Sequence, residues 1–172
     1  MLQGSKARIF VNFLTLCNLT LGSLALILVL ENKVTIAAGL VLIAVIVDGM
    51  DGRIARLLKS TSPLGKELDS LCDLVSFGVA PAILIYYSAF IEKSPIVGSV
   101  VVVLYILCGA YRLARFNVQK STQFFVGVPI TIAGMFMALF ILSPGTDNLW
   151  LSMLLTLMLA FLMVSPFKIP KI

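Results

Sequence analysis

Residues 48–56 read Asp-Gly-Met-Asp-Gly-Arg-Ile-Ala-Arg, and residues 65–73 read Gly-Lys-Glu-Leu-Asp-Ser-Leu-Cys-Asp. An apolar run, 37–47, precedes the first stretch, and another, 74–91, follows the second. The two stretches contain four aspartates in a chain that has only eight acidic residues. A carboxylate at the end of a long apolar segment is costly unless it is paired, hydrated or bound to a metal. The pattern therefore indicates a functional site where two apolar segments meet.

The composition is that of a membrane protein. Of the 172 residues, 60% are hydrophobic and 12% are charged, and the mean hydropathy is +1.08. A soluble domain has a charged fraction of about 25%. The length allows a single bundle, and each crossing helix needs roughly 20 apolar residues. We therefore predict one all-α integral membrane domain over 1–172 with six transmembrane helices, at 10–30, 34–57, 68–91, 95–116, 125–143 and 148–166.

The basic residues predict the orientation of the bundle. With six crossings, every lysine and arginine except Lys33 and Lys93 falls on the side of the two termini. Lysine and arginine concentrate in cytoplasmic connections. We therefore expect both termini and the acidic stretches to face the cytoplasm. We also expect the first apolar run to be retained as a helix, because no small-residue cleavage site follows it. The charges flank apolar segments without interleaved aromatic residues, so we expect no nucleic-acid partner.

Two further features of the sequence exclude classes of chemistry. The chain contains no histidine, which excludes a histidine nucleophile or base and zinc sites of the His-Glu-x-x-His type. The three cysteines lie inside apolar segments and show no Cys-x-x-Cys spacing, so a cysteine metal site is not indicated.

The spacing of the aspartates has a geometric meaning on helices. Asp48 and Asp51 are three residues apart, and Asp69 and Asp73 are four apart, so each pair shares a helix face. A short turn between antiparallel helices brings the two faces together. Ligation by oxygen alone suits hard cations, and two divalent ions would balance four negative charges. We predict a site for two Mg²⁺ or Mn²⁺ ions, with Ca²⁺ as another ion that it could bind.

Small residues and an arginine accompany these aspartates. Gly52, Ala55 and Gly65 let a phosphate or a flat ring approach the backbone, and Arg56 can donate paired hydrogen bonds to phosphate. Asp48 lies about 21 Å along the helix from Val34, where the predicted second transmembrane helix begins. The hydrocarbon core of a bilayer is about 30 Å thick. That depth, near the cytoplasmic edge, suits a reaction between a water-soluble molecule and a lipid headgroup.

A divalent-cation transporter is the alternative from another functional class. An ion path predicts polar residues through the whole depth of the bundle and discontinuous central helices. The outer halves of the apolar segments are almost uniformly apolar. A transporter also leaves the small residues and Arg56 without a role, so an enzyme is the better interpretation.

The complete pattern, Asp48-x2-Asp51-Gly52-x2-Ala55-Arg56-x8-Gly65-x3-Asp69-x3-Asp73, resembles the signature of the CDP-alcohol phosphotransferases, with all eight defining positions present. This resemblance implies a membrane-embedded enzyme of phospholipid biosynthesis, a transferase with six spans, a cytoplasmic site and a homodimeric state. It implies CDP-diacylglycerol, or CDP-archaeol in an archaeal source, as the lipid donor.

The resemblance also implies roles for the site residues. Asp48, Asp51 and Asp69 would bind one metal, and Asp48, Asp69 and Asp73 a second. Asp73 would also act as the base. Six residues would contact or enclose the CDP part of the donor. Five lie within 48–73, and the sixth lies in the first predicted helix: Gly52, Ala55, Arg56, Ser62, Gly65 and Asn18.

Shorter elements resemble the phosphatidylserine synthase branch of this family. They are residues 12–22, 112–117 and 125–129. The branch implies L-serine as the acceptor, with Arg112 and Arg115 available for its carboxylate and Asn117 for its amino group. Charge alone leaves glycerol 3-phosphate and inositol phosphate open as acceptors, because their phosphate groups would need the same arginines.

Overall fold

The apolar segments form six helices in the part of the chain that the computed structural model describes, residues 2–58, 62–118, 124–166 and 168–170. Long runs of apolar residues favour helices in a membrane because a helix satisfies its own backbone hydrogen bonds. The helices are α1 (Leu2–Leu30), α2 (Val34–Leu57), α3 (Pro63–Phe90), α4 (Pro95–Val118), α5 (Ile130–Ile141) and α6 (Leu149–Val164). A 3₁₀ turn, Pro144–Asp147, precedes α6.

Four of these helices are long and apolar enough to cross a bilayer. The qualifying segments are Ile9–Leu30, Val34–Leu57, Pro63–Phe90 and Pro95–Val118. The apolar helices α5 and α6 are shorter, with 12 and 16 residues. The prediction of an all-helical membrane protein is therefore confirmed in its general form. The count of six crossings and the cytoplasmic side of the termini stay predictions.

Three helices begin several residues away from the start that hydropathy predicts, and the first of them, α1, begins at Leu2 instead of 10. Helix α3 begins at Pro63 instead of 68, because Ser62 accepts a hydrogen bond from the Gly65 backbone N–H at 3.0 Å and caps the helix. Helix α5 begins at Ile130 instead of 125. Gly127, with φ +77°, and the following Val128 and Pro129 form a bend before it.

Two short strands lie beside this bend. β1 (Phe124–Val126) pairs antiparallel with β2 (Lys168–Pro170), so that the segment before α5 meets the segment after α6. The backbone N–H of Val128 also donates to the Leu162 carbonyl at 3.1 Å. A Cβ on Gly127 would lie 2.3 Å from the Met163 carbonyl oxygen, so this close approach requires glycine.

Helix α3 changes its winding immediately after the second acidic stretch. Two π-helical segments, Leu74–Val79 and Tyr86–Phe90, interrupt its α-helical hydrogen bonds. The carbonyl of Phe77 in the first segment accepts a hydrogen bond from the buried Tyr105 hydroxyl of α4 at 3.0 Å. π-Helical turns are often found at functional sites, because they re-aim the side chains next to them.

Small buried side chains allow the first three helices to pack closely. Ala37, Ala38 and Ala44 of α2 are fully buried. A Cβ on Gly22 of α1 would lie 2.4 Å from Ser76 Oγ of α3, so these two helices are in direct backbone contact. This packing brings the acidic ends of α2 and α3 together beside α1.

Candidate active site

Three of the predicted carboxylates converge at the junction of α2 and α3. Asp48 and Asp51 project from one face of α2, and Asp69 projects from the second turn of α3. Each contributes an oxygen that lies within 4.8 Å of the other two. Asp51 is only 3% exposed, while Asp48 and Asp69 are half-buried. The convergence predicted from helical spacing is therefore present for these three residues.

Asp73 lies deeper, one helical turn beyond Asp69. Its side chain is 9% exposed and contacts that of Asp48. Its Oδ1 atom is buried and has no hydrogen-bond partner among the described residues. A buried carboxylate oxygen without a partner is costly, so it indicates a place where a ligand or a reacting group is accepted.

Two threonine hydroxyls orient the cluster, and neither had a role predicted from the sequence. Thr15 Oγ1 of α1 donates to Asp51 Oδ2 at 3.2 Å, and Thr131 Oγ1 of α5 donates to Asp48 Oδ2 at 3.4 Å. Each bond restrains the orientation of one carboxylate. Thr15 lies in residues 12–22, which resemble the phosphatidylserine synthase branch, and this resemblance could have indicated a role for Thr15 in the site. Thr131 had no comparable signal.

The donor set fits a hard divalent cation. Among the lysines and arginines whose side chains the structure describes, none has a nitrogen within ion-pair distance of Asp48, Asp51, Asp69 or Asp73. Their negative charges are therefore not neutralised by an ion pair with a described side chain, although Arg112 is close enough to Asp73 to interact with its charge. Clustered carboxylate oxygens with two hydroxyl supports are the ligand chemistry that Mg²⁺, Mn²⁺ and Ca²⁺ prefer.

A pocket of about 440 Å³ opens beside the cluster between α1, α2 and the start of α3. It contains five of the six residues predicted to contact the CDP part, together with two of the aspartates. It also contains five residues for which the sequence predicted no role. The lining residues are Val11, Asn12, Thr15, Asp51, Gly52, Ala55, Arg56, Ser62, Gly65, Lys66, Asp69 and Phe116.

The two glycines of the pocket have different surroundings. A Cβ on Gly52 would meet nothing within 4 Å, so the space beside Gly52 is open to a ligand. A Cβ on Gly65 would lie 3.0 Å from Ser62 Oγ and 3.2 Å from Asn12 Oδ1. The small size of Gly65 therefore accommodates polar side chains of the protein itself. Arg56 donates from Nε to the Gly52 carbonyl at 3.1 Å, which holds its guanidinium along the pocket wall.

Asn18 lies outside the pocket lining. It is fully buried on α1, and in the described part of the chain its side-chain Nδ2 and Oδ1 have no hydrogen-bond partner. Its backbone carbonyl accepts from Ser76 Oγ at 3.0 Å. The predicted contact between Asn18 and the CDP part stays a prediction.

The three residues predicted to bind the acceptor differ in their contacts. Arg112 is 7% exposed, its buried Nε has no partner within the segments that the structure describes, and its charge is close enough to interact with Asp73. Arg115 donates from Nη1 to the Val164 carbonyl at 3.2 Å, at the end of α6. Asn117 donates from Nδ2 to Glu67 Oε2 at 3.1 Å and to Ser70 Oγ at 3.0 Å. Arg112 therefore combines a buried donor that has no partner among the described residues with a charge near Asp73.

Comparison with known proteins finds similar sequences along most of the chain. The family model for CDP-alcohol phosphatidyltransferases matches residues 8–164. A CDP-diacylglycerol–serine O-phosphatidyltransferase from Helicobacter pylori is 35% identical over 174 residues, covering 95% of this chain and 72% of the relative. The Bacillus subtilis protein of the same name is 39% identical over 158 residues, covering 91% and 87%.

An archaeal relative extends the comparison to the whole chain. The archaetidylserine synthase of Methanothermobacter thermautotrophicus is 34% identical over 180 residues, covering 100% of this chain and 75% of the relative. The family match spans both acidic stretches, whose aspartates the fold brings together. The chain therefore belongs to the CDP-alcohol phosphatidyltransferase family.

Proposed function

We propose that this enzyme transfers the phosphatidyl group of CDP-diacylglycerol, or the corresponding group of CDP-archaeol, to the hydroxyl of L-serine and releases CMP. One observation carries the proposal: carboxylates of α2 and α3 converge at the inner end of a pocket whose wall is open at Gly52 and carries Arg56. The names of the bacterial and archaeal relatives support serine as the acceptor and both lipid types as donors.

The pocket would bind the nucleotide part of the donor. The open space at Gly52 admits the diphosphate or the ribose to the backbone of α2. The guanidinium of Arg56 has donors beyond Nε for phosphate oxygens. Ala55, Ser62 and Gly65 would form the walls around the cytidine. The lipid chains would extend from this pocket into the bilayer beside the apolar helices.

The aspartates would hold the metal ions that the donor set fits. Asp48, Asp51 and Asp69 would bind the first ion, and Asp48, Asp69 and Asp73 the second. When bound, Mg²⁺ or Mn²⁺ would polarise the diphosphate and neutralise charge on the departing CMP. Thr15 and Thr131 keep Asp51 and Asp48 in orientations that present an oxygen to this centre.

Asp73 is the residue we assign as the base. The serine hydroxyl oxygen forms a bond to the lipid-side phosphorus, and the bond from this phosphorus to the bridging oxygen breaks. The electron pair of that bond leaves with CMP, and Asp73 takes the hydroxyl proton. The unpartnered Asp73 Oδ1 provides a buried acceptor for this proton.

Arg112 would orient the acceptor. Its buried, unpartnered Nε and its position near Asp73 suit a guanidinium that binds the serine carboxylate while the hydroxyl faces the base. Arg115 and Asn117 complete the proposed acceptor site. The same proposal includes six membrane crossings, both termini and the site on the cytoplasmic side, and a homodimer.

A CMP-release assay on the purified protein tests the proposal. CDP-diacylglycerol or CDP-archaeol is supplied with Mg²⁺ or Mn²⁺, and each of L-serine, glycerol 3-phosphate, inositol phosphate and buffer alone serves as acceptor. We expect metal-dependent CMP release with L-serine. Release with a phosphorylated acceptor alone would overturn serine as the acceptor while keeping the reaction class. Absence of release with every acceptor and both donors would overturn the proposed transfer reaction.

A further inference from the structure

Lys66 is the second basic residue of the pocket, and neither the signature pattern nor the metal centre accounts for it. It lies on the first turn of α3, and its side chain lines the pocket on the wall that faces α1 and α2. Arg56 lines the same pocket from the last turn of α2. The two cations therefore approach the pocket from two different helices at the end where α2 and α3 are joined.

The charges of the pocket are separated along the helix axes. Asp51 and Asp69 are at the inner end, while Arg56 follows Asp51 by about 7.5 Å along α2 and Lys66 precedes Asp69 by about 4.5 Å along α3. Within the described residues, no carboxylate lies within ion-pair distance of Lys66, although Glu67 and Asp69 are close in sequence. Its positive charge is thus not neutralised by an ion pair with the protein.

The Lys66 ammonium is held at the pocket edge. Its Nζ donates to the backbone carbonyl of Asn117 at 3.1 Å and lies 5.7 Å from the centre of the Phe116 ring, which also lines the pocket. An ammonium has three N–H donors, and the Asn117 carbonyl accepts one. Two donors therefore remain for a ligand in the pocket, on a side chain whose position is already restricted.

We propose that Lys66 binds the diphosphate of the CDP-linked donor opposite Arg56, and that it retains the phosphate of CMP until the product leaves. This inference rests on the proposed function for the identity of the donor. The rotatable donors of an ammonium suit an anion whose charge shifts from a diphosphate to a departing phosphate. Lys66 is therefore assigned to donor binding, and its hydrogen bond to Asn117 is made with the backbone carbonyl and not with the side chain assigned to the acceptor.

Three substitutions test this role with purified protein and Mg²⁺. Lys66→Met removes the charge and the hydrogen bond. Lys66→Gln removes the charge but retains an N–H donor for the Asn117 carbonyl, and Lys66→Arg retains the charge. Lys93→Met, the same change at an exposed position at the opposite end of the bundle, is the matched control. Lys66 is exposed, so none of its variants leaves a cavity in the core.

The readouts are CDP binding by calorimetry, inhibition by CMP, and the KM values of the donor and of serine. We expect Lys66→Met and Lys66→Gln to weaken CDP and CMP binding and to raise the donor KM by about tenfold, the scale of one charge-assisted hydrogen bond. The serine KM should not change, Lys66→Arg should restore most of the affinity, and Lys93→Met should behave as the wild type.

Unchanged CDP binding and donor KM in both neutral variants would overturn the inference, and so would a rise in the serine KM alone. Failure of the proposed function has a different signature. In that case the wild type releases no CMP with serine, while the effect of Lys66 on CDP binding can still be measured.

Discussion

The hydroxyl of Thr15 on α1 donates to Asp51 Oδ2 on α2, with 3.2 Å between the two oxygens. Both side chains are 3% exposed, so the bond is shielded from water. It links the acidic cluster to a helix that contributes no carboxylate of its own. The orientation of Asp51 therefore depends on how α1 packs against α2.

Replacement of Thr15 by valine, which has nearly the same shape, should weaken metal binding. The loss of a hydrogen bond to a metal-binding carboxylate lowers metal affinity by roughly 10–100-fold in other sites. We expect the Mn²⁺ concentration at half-maximal activity, and the Kd from Mn²⁺ titration by electron paramagnetic resonance, to rise by about tenfold. Thr20→Val is the control, because Thr20 is exposed and its hydroxyl donates to the Leu16 carbonyl of its own helix. Equal metal affinity in the two variants would contradict an orienting role for Thr15.

The open space beside Gly52 predicts that a methyl group added there weakens donor binding without disturbing the fold. A Cβ at Gly52 meets no protein atom within 4 Å, so Gly52→Ala should fold normally and even gain up to about 1 kcal/mol of helix propensity. The added methyl group would enter the pocket, and we expect the KM of the CDP-linked donor to rise by about tenfold or more, as for a lost close contact.

Gly49→Ala is a matched control for that substitution. Gly49 lies on the same helix, and a Cβ added there would also meet no atom within 4 Å, but Gly49 does not line the pocket. The two variants should therefore have similar thermal stability and different donor KM values. A donor KM that rises equally in both would show that the effect comes from the helix and not from the pocket.

Asp73→Asn tests the assignment of the base. The amide has nearly the same size but cannot accept the hydroxyl proton, so we expect turnover to fall by about 10²–10⁴-fold. CDP binding, measured by calorimetry, should remain detectable because Asp73 does not line the nucleotide pocket. Asp147→Asn, an exposed position in the turn before α6, should leave turnover unchanged. Normal turnover in Asp73→Asn would exclude the proposed base.

Arg112→Gln tests the acceptor site. Loss of the buried guanidinium removes the proposed partner of the serine carboxylate, and we expect the serine KM to rise by about tenfold to a hundredfold while the donor KM changes little. Arg53→Gln is the control, because Arg53 is exposed on α2 and lies outside the pocket lining. If Arg112→Gln raised both KM values by the same factor, its assignment to the acceptor would be wrong.

Local spacing was sufficient to predict the helices and the acidic cluster. Asp48 and Asp51 share a face of α2 because three residues make nearly one helical turn, and the same reasoning places Asp69 and Asp73 together. Hydropathy predicted the long helices well. It placed the start of α5 too early, because the bend at Gly127 depends on backbone contacts with α6 that the local composition does not reveal.

Helix periodicity and hydropathy were enough to predict a helical membrane protein with its aspartates at one junction, because both patterns depend on residues that are close in sequence. The acidic signature was enough to identify the CDP-alcohol phosphatidyltransferase family. The contacts between helices were not predictable in this way. Thr15 and Thr131 hold those aspartates, Lys66 and Phe116 complete the pocket, and Arg112, Arg115 and Asn117 have different partners. These contacts join residues on different helices, and their geometry follows from helix packing, which local periodicity does not specify.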